Sequence, residues 1–142
     1  MHVLNEDEIA GFLRRFRNFH DAVIVKFRVR LTNRRSAGIV IDAKDDSSPG
    51  KWTRITLEIQ DLKFFKWRED TDLRSLILKL PTVIVRIGEL FFVAFEVDGN
   101  GDLYKTKESL MAEASILLAG PEIRYDIGLP EEKKVSGTNG TS

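Results

Sequence analysis

The hydrophobic period of the sequence changes near residue 20, and this change limits the possible folds more than any other feature. Before it, apolar residues recur at helical spacing and would share one face: Ile9, Phe12, Leu13, Phe16 and Phe19. Asn5 and Glu8 make a capping-box pattern, so a helix is predicted over residues 5–18. After it, alternate residues are apolar, which predicts a half-buried strand over 23–31 with these side chains on its apolar face: Val23, Val25, Phe27, Val29 and Leu31.

The rest of the chain carries further strand patterns separated by turn residues. Strands are predicted over residues 38–43, 55–59, 62–67, 82–87, 90–97, 115–119 and 123–127. Asp61 is expected to bend the chain before the strand over 62–67. Gly88-Glu89 is a Gly-first hairpin turn. Residues 72–80 and 107–119 each fit either a helix or a strand, although a strand is favoured for the end of the second segment.

These elements predict a single α+β domain over residues 1–127. Its N-terminal helix would pack on one curved, mostly antiparallel sheet of about six or seven strands. A chain of 142 residues is long enough for one such domain, and neither a repeat nor an internal linker divides it. Residues 128–142 are polar and rich in Gly, Ser and Thr, which predicts a disordered tail.

Composition excludes several classes of site. The 22 Lys and Arg residues balance 22 Asp and Glu residues, so net charge does not favour nucleic acid or an anionic membrane as the partner. The absence of cysteine excludes disulfides, thiolate nucleophiles and Cys-ligated metal sites. The first residues lack a signal-peptide pattern, and the longest dense apolar run, residues 90–95, is too short for a membrane span. A cytoplasmic location without membrane contact is therefore expected.

Basic residues are concentrated in the first half of the chain. Residues 14–35 contain eight Lys and Arg side chains against Asp21 alone, and this basic 14–35 face is a candidate for nucleic-acid binding. Residues 63–68 also interleave aromatic and cationic side chains, as single-strand binding surfaces do. Neither stretch carries a known nucleic-acid-binding motif, so nucleic acid is the weaker alternative.

The motif Phe19-His20-Asp21-Ala22 contains one of the two histidines and is the strongest candidate for a small-ligand or metal site. Neighbouring residues on a strand point to opposite faces, so His20 and Asp21 are not expected to orient one another. A structural role is favoured, in which His20 closes the helix and Asp21 bonds backbone N–H groups. The sequence shows no known enzyme motif, and neither a catalytic residue nor a cofactor or metal is predicted.

The same motif also carries a family resemblance. The order of elements over residues 12–127 resembles a loose group of small, mostly uncharacterised bacterial α+β domains, in which Phe-His-Asp opens the first strand. A strand of the form Ile55-x-Leu57-x-Ile59 and a closing strand over 123–127 add to the likeness. Some members of the group are immunity proteins of bacterial toxin systems. The resemblance implies a non-enzymatic, protein-binding domain, although inhibitors of nuclease toxins are typically acidic and this chain is neutral.

The leading functional hypothesis is therefore a bacterial domain that binds another protein, such as a toxin that it neutralises by covering its surface. Exposed Arg and Trp side chains commonly anchor such interfaces. The candidate anchors are Arg28, Arg30, Trp52 and Trp67. Binding of a small ligand or metal at His20 and Asp21, and nucleic-acid binding by the basic 14–35 face, are the alternatives, and the oligomeric state stays open.

Overall fold

The computed structural model describes residues 1–47, 51–67, 76–97 and 106–128 of the chain. Its helical elements are a 3₁₀ turn at Glu6–Glu8, helix α1 (Ile9–Arg15), a second 3₁₀ turn at Arg17–Phe19 and helix α2 (Lys107–Glu113). Its strands are β1 (His2–Val3), β2 (Val23–Arg30), β3 (Ser36–Lys44), β4 (Trp52–Gln60), β5 (Phe64–Trp67), β6 (Leu76–Ile77), β7 (Val83–Ile87), β8 (Leu90–Val97), β9 (Ala114–Gly120) and β10 (Glu122–Gly128). No helix in this part of the chain has the length and apolar character that crossing a bilayer requires.

The strands form two antiparallel sheets, which corrects the expectation of one curved sheet. Within the described residues, one sheet has six strands in the order β1-β10-β4-β3-β2-β6, and the other has four in the order β5-β9-β8-β7. The prediction of a mainly antiparallel α+β fold with an N-terminal helix is confirmed. The single-sheet expectation was wrong because alternation along a strand shows that one face is buried, but not which sheet supplies the covering surface.

The main core lies between the two sheets. Ile39 of β3 and Leu57 of β4 belong to the same buried cluster as Val93 of β8 and Leu118 of β9, and all four are fully buried. Helix α1 lies on this inner side of the six-stranded sheet, because the Phe12 ring is 4.9 Å from the ring of Tyr125 in β10. The opposite side of that sheet, called the outer face below, is therefore left free of α1.

The first helix is shorter than predicted. Its start is confirmed, since the Asn5 N–H donates to Glu8 Oε1 at 2.9 Å. Its end comes early because Arg17, Asn18 and Phe19 have φ angles of 56°, 55° and 59°, a left-handed turn that no α-helix can continue. The turn directs the Phe19 side chain, which is 0% exposed, into the core.

Strand β2 carries a bulge that overturns part of the predicted alternation. The register with β3 shifts between Ile24 and Lys26, so that Ile24 is buried and Val25 is 46% exposed. Phe27 is half-buried beyond the bulge and packs against the core. The extra residue of a bulge exchanges the inward-facing and outward-facing positions on its two sides. The predicted apolar face is therefore wrong before the bulge and correct after it. Leu31, also expected on that face, lies beyond the strand and is 58% exposed.

The bend predicted at Asp61 is confirmed, and it marks the crossing between the sheets. Asp61 has a φ of 51°, and the chain after β4 enters the four-stranded sheet as β5. The end of β9 meets the end of β4 at this crossing. A Cβ on Gly120 would lie 2.6 Å from Ile59 Cγ2 and 2.8 Å from the Gln60 carbonyl oxygen. The position therefore requires glycine.

The ambiguous segments have distinct outcomes. Residues 107–119 contain both alternatives, because α2 is followed directly by β9, and the favoured strand is confirmed. Of residues 72–80, Leu76–Ile77 form β6 beside β2, and the part before residue 76 lies outside the described residues. The hairpin of β7 and β8 is confirmed, with Gly88 at a φ of 65°. The predicted tail lies outside the described residues except for Gly128, which ends β10.

Candidate functional site

The outer face of the six-stranded sheet carries an open groove with a volume of about 370 Å³. Its floor is β3 and its walls are β2 and β4, the strands on either side. It is referred to below as the basic groove. Its lining residues are Lys26, Arg28, Arg30, Arg34, Ser36, Ala37, Gly38, Val40, Thr56, Glu58 and Gln60.

Strand register explains why a groove forms here. The floor positions facing outward in β3 have small side chains, whereas the flanking strands carry longer ones. On one side Lys26, Arg28 and Arg30 stand opposite Val40, Gly38 and Ser36. On the other side Thr56, Glu58 and Gln60 stand opposite the same three residues.

Gly38 lies in the middle of the floor, between Ser36 and Val40. An ideal Cβ built on this residue would meet no atom within 4 Å, so the space above it is open. Its φ lies outside the left-handed region, so backbone conformation does not require glycine there. The absence of a side chain at Gly38 therefore leaves room in the groove, and the backbone conformation of β3 does not require it.

Four cations line the basic groove: Lys26, Arg28, Arg30 and Arg34. Among the described residues, no carboxylate forms an ion pair with Lys26, Arg28, Arg30 or Arg34. Within the lining the only carboxylate is Glu58, which accepts a hydrogen bond from the Gln60 side-chain amide. The groove is thus a site of positive potential suited to an anionic group.

Two other arginines of residues 14–35 pair with carboxylates on the core side of the sheet, so the basic residues of this segment do not form a single face. The Arg15 guanidinium Nη2 lies 2.9 Å from Asp45 Oδ2, and Arg17 Nε lies 2.8 Å from Asp46 Oδ1. Both belong to the end of α1 and the turn after it, on the core side of the sheet. Of the six other cations in this segment, four line the groove: Lys26, Arg28, Arg30 and Arg34.

The two tryptophans predicted as anchors lie in different environments. Trp52 is 37% exposed on β4, opposite Lys44, whose Nζ is 5.8 Å from the ring centroid. Trp67 is half-buried at the margin of the core, where its ring lies 4.9 Å from that of Phe27. The neighbouring Lys66 donates to the carbonyl oxygens at the end of α2, so this stretch is occupied by internal contacts.

His20 and Asp21 contact each other, contrary to the expectation from strand geometry. His20 Nδ1 lies 3.2 Å from Asp21 Oδ2, and the two side chains are 55% and 64% exposed. The expectation failed because the pair precedes β2 and Asp21 has a φ of 65°, which turns its side chain back. Asp21 is held through its own N–H, which donates to the Leu78 carbonyl oxygen at 2.8 Å.

In the described part of the chain, His20 and Asp21 do not belong to a metal centre. No group of three or more His, Asp or Glu side chains in the described residues is placed to hold a metal ion. Both side chains are more than half exposed, so the pair lies at the surface.

Sequence reasoning identified Arg28 and Arg30 and included Lys26 and Arg34 in the basic 14–35 face, but it missed Gly38 and Glu58. Their partnership depends on the register of β3 with both neighbours, which a single strand pattern does not specify. A glycine inside an otherwise good strand was the one available signal, since such a glycine often marks close approach of another group.

Comparisons of the chain with protein-family models, with curated proteins and with solved structures found no match.

Proposed function

We propose that this protein is a non-enzymatic binding domain that docks an acidic protein partner in the basic groove. The observation that carries the proposal is the set of four cations lining the groove without an ion-pair partner among the described residues: Lys26, Arg28, Arg30 and Arg34. Unpaired arginines on a concave surface favour carboxylate recognition, because the guanidinium fork can bind a carboxylate through two hydrogen bonds.

The side chains that line the groove favour a protein partner over nucleic acid. Single-stranded nucleic acid is typically held by aromatic rings on which its bases stack, and the described lining contains none. Glu58 in the wall would repel a phosphate backbone, whereas a protein can place a hydrogen-bond donor or a lysine against it.

The mechanism would be occlusion of the partner's surface. Toxin neutralisation is the specific form of this proposal, and the partner would then be a toxin with an acidic surface. Trp52, at the far end of the same sheet face, supports a wider footprint, since half-exposed tryptophans commonly anchor protein interfaces. Trp67 is not part of that footprint.

Affinity capture from bacterial lysate with matched variants tests the proposal. The double variant Arg28→Glu, Arg30→Glu reverses the groove's charge, and Arg14→Glu is the control, since Arg14 is exposed on α1 at the other side of the sheet. We expect a protein retained by the native chain and by Arg14→Glu, and lost with the double variant. Equal retention by all three, retention of nucleic acid only, or no retention would contradict the proposal.

A further inference from the structure

We infer that the basic groove takes an extended segment of the partner, with an acidic side chain at every second residue facing β2. This inference rests on the proposed function and specifies the ligand. It follows from the spacing of the cations, the width of the groove and the character of the opposite wall.

The cations of β2 are evenly spaced along one face of the strand. Lys26, Arg28 and Arg30 are exposed, follow one another at every second residue and face the same side of the sheet. Alternate residues of a strand are about 6.6 Å apart. An extended peptide has the same repeat on each of its sides, so carboxylates at positions i, i+2 and i+4 would meet successive cations. Carboxylates at i and i+4 of a helix have a similar spacing, but a helix with its side chains is about 10–12 Å wide, which is more than the distance between β2 and β4.

The width of the groove fits one extended chain. β2 and β4 are both neighbours of β3, so they are separated by two strand spacings, or about 9.6 Å. A peptide lying along β3 would send alternate side chains towards the two walls. Gly38, halfway along the floor, leaves space for the peptide backbone because it has no side chain.

The β4 wall, opposite the cations of β2, determines which peptide residues fit between the acidic ones. Thr56, Glu58 and Gln60 are polar, and Glu58 stands level with Arg28 across Gly38. The side chain that faces Glu58 is expected to be polar or basic, because a second carboxylate there would be repelled. The groove thus selects an alternating acidic and polar pattern over a continuous acidic run.

Two labelled peptides of identical composition test this inference. One alternates aspartate with serine or lysine, and the other places the same aspartates in one uninterrupted block. Fluorescence polarisation with the full chain at low salt is expected to show binding of the alternating peptide about tenfold tighter, the equivalent of one additional charge-assisted bond.

Gly38→Val supplies a variant that changes shape and not charge. It fills the groove where a Cβ meets open space, so the fold is expected to persist while binding of the alternating peptide is lost. Gly128→Val is the matched control, because Gly128 lies on the same sheet opposite Arg54 and outside the groove lining. Circular dichroism of both variants checks that they fold.

The outcomes separate this inference from the proposed function. Equal affinity for the two peptides, or unchanged affinity in Gly38→Val, overturns the alternating pattern even when a groove-dependent protein has been captured. Tighter binding of the alternating peptide, with no protein captured from lysate, supports the ligand chemistry and contradicts the proposed function. Binding of a single-stranded oligonucleotide in place of both peptides overturns both.

Discussion

The Asp45 carboxylate accepts a two-pronged hydrogen bond from the Arg15 guanidinium, with Arg15 Nε 3.0 Å from Oδ1 and Nη2 2.9 Å from Oδ2. Arg15 ends α1, whereas Asp45 follows β3, so the pair ties the N-terminal helix to the six-stranded sheet. Asp45 is only 3% exposed, and it also accepts from the Ser47 N–H and from the Thr53 hydroxyl. The carboxylate is therefore satisfied on all sides, which makes its burial tolerable.

Replacing Asp45 is expected to destabilise the protein measurably. Asp45→Asn removes the charge that holds Arg15, and should lower the free energy of unfolding by about 2 kcal/mol. Asp46→Asn is the control, because Asp46 and its partner Arg17 are each about half exposed and such pairs contribute less than about 1 kcal/mol. Urea unfolding measures both, and equal losses for the two variants would contradict the structural role of Asp45.

The same carboxylate predicts an acid-sensitive fold. The Arg15 hydrogen bonds hold the pKa of Asp45 well below its usual range, and the bonds from Ser47 act in the same direction. A lowered pKa in the folded state means that this stabilisation is complete above the unfolded pKa of about 3.9 and is lost as pH falls below it. Unfolding measured from pH 6 to pH 2 should therefore show a steeper loss of stability for the native chain than for Asp45→Asn. Parallel curves would count against this assignment.

Two glycines are expected to respond oppositely to the same substitution. Gly120→Ala places a methyl group 2.6 Å from Ile59 Cγ2 and 2.8 Å from a backbone oxygen, and should cost about 1–3 kcal/mol. Gly38→Ala meets open space and restricts the unfolded chain, and should stabilise by about 0.5–1 kcal/mol. Thermal unfolding of the two variants checks this. A tolerated Gly120→Ala would mean that β4 and β9 do not approach so closely.

Removing the His20 imidazole is expected to change little. Both His20 and Asp21 are more than half exposed, so His20→Ala should alter stability by less than about 0.5 kcal/mol. Added Zn²⁺ should shift the unfolding temperature equally in the native chain and the variant. A zinc-induced rise that depends on His20 would instead establish the metal-binding alternative.

Much of the fold could be predicted from local patterns. The Asn5 cap and the Gly88 turn depend on residues adjacent in sequence, and both predictions are confirmed. The left-handed turn at 17–19 and the bulge after Ile24 could not be predicted in this way. The turn places Phe19 in the core, and the bulge places Ile24 there in place of Val25, so both depend on contacts with distant strands that local periodicity does not show.

The candidate site was only partly predictable for the same reason. Arg28 and Arg30 were identifiable as an exposed row on one strand. The position of Trp67 at the core margin depends on which sheet its strand joins. The groove at Gly38 beside Glu58 depends on the register of β3 with its two neighbours. The groove is formed by neighbours across three strands of one sheet, and the pattern of a single strand does not specify them.

The most direct test of the account is to locate acidic-ligand binding on the labelled protein by ¹H–¹⁵N chemical-shift mapping, with the alternating aspartate peptide as the probe. The account predicts that the largest shifts fall on residues 26–30, 36–40 and 56–60, and that they decrease as salt rises. Shifts centred on His20 and Asp21, or on α1, or no shifts at low salt, would contradict it.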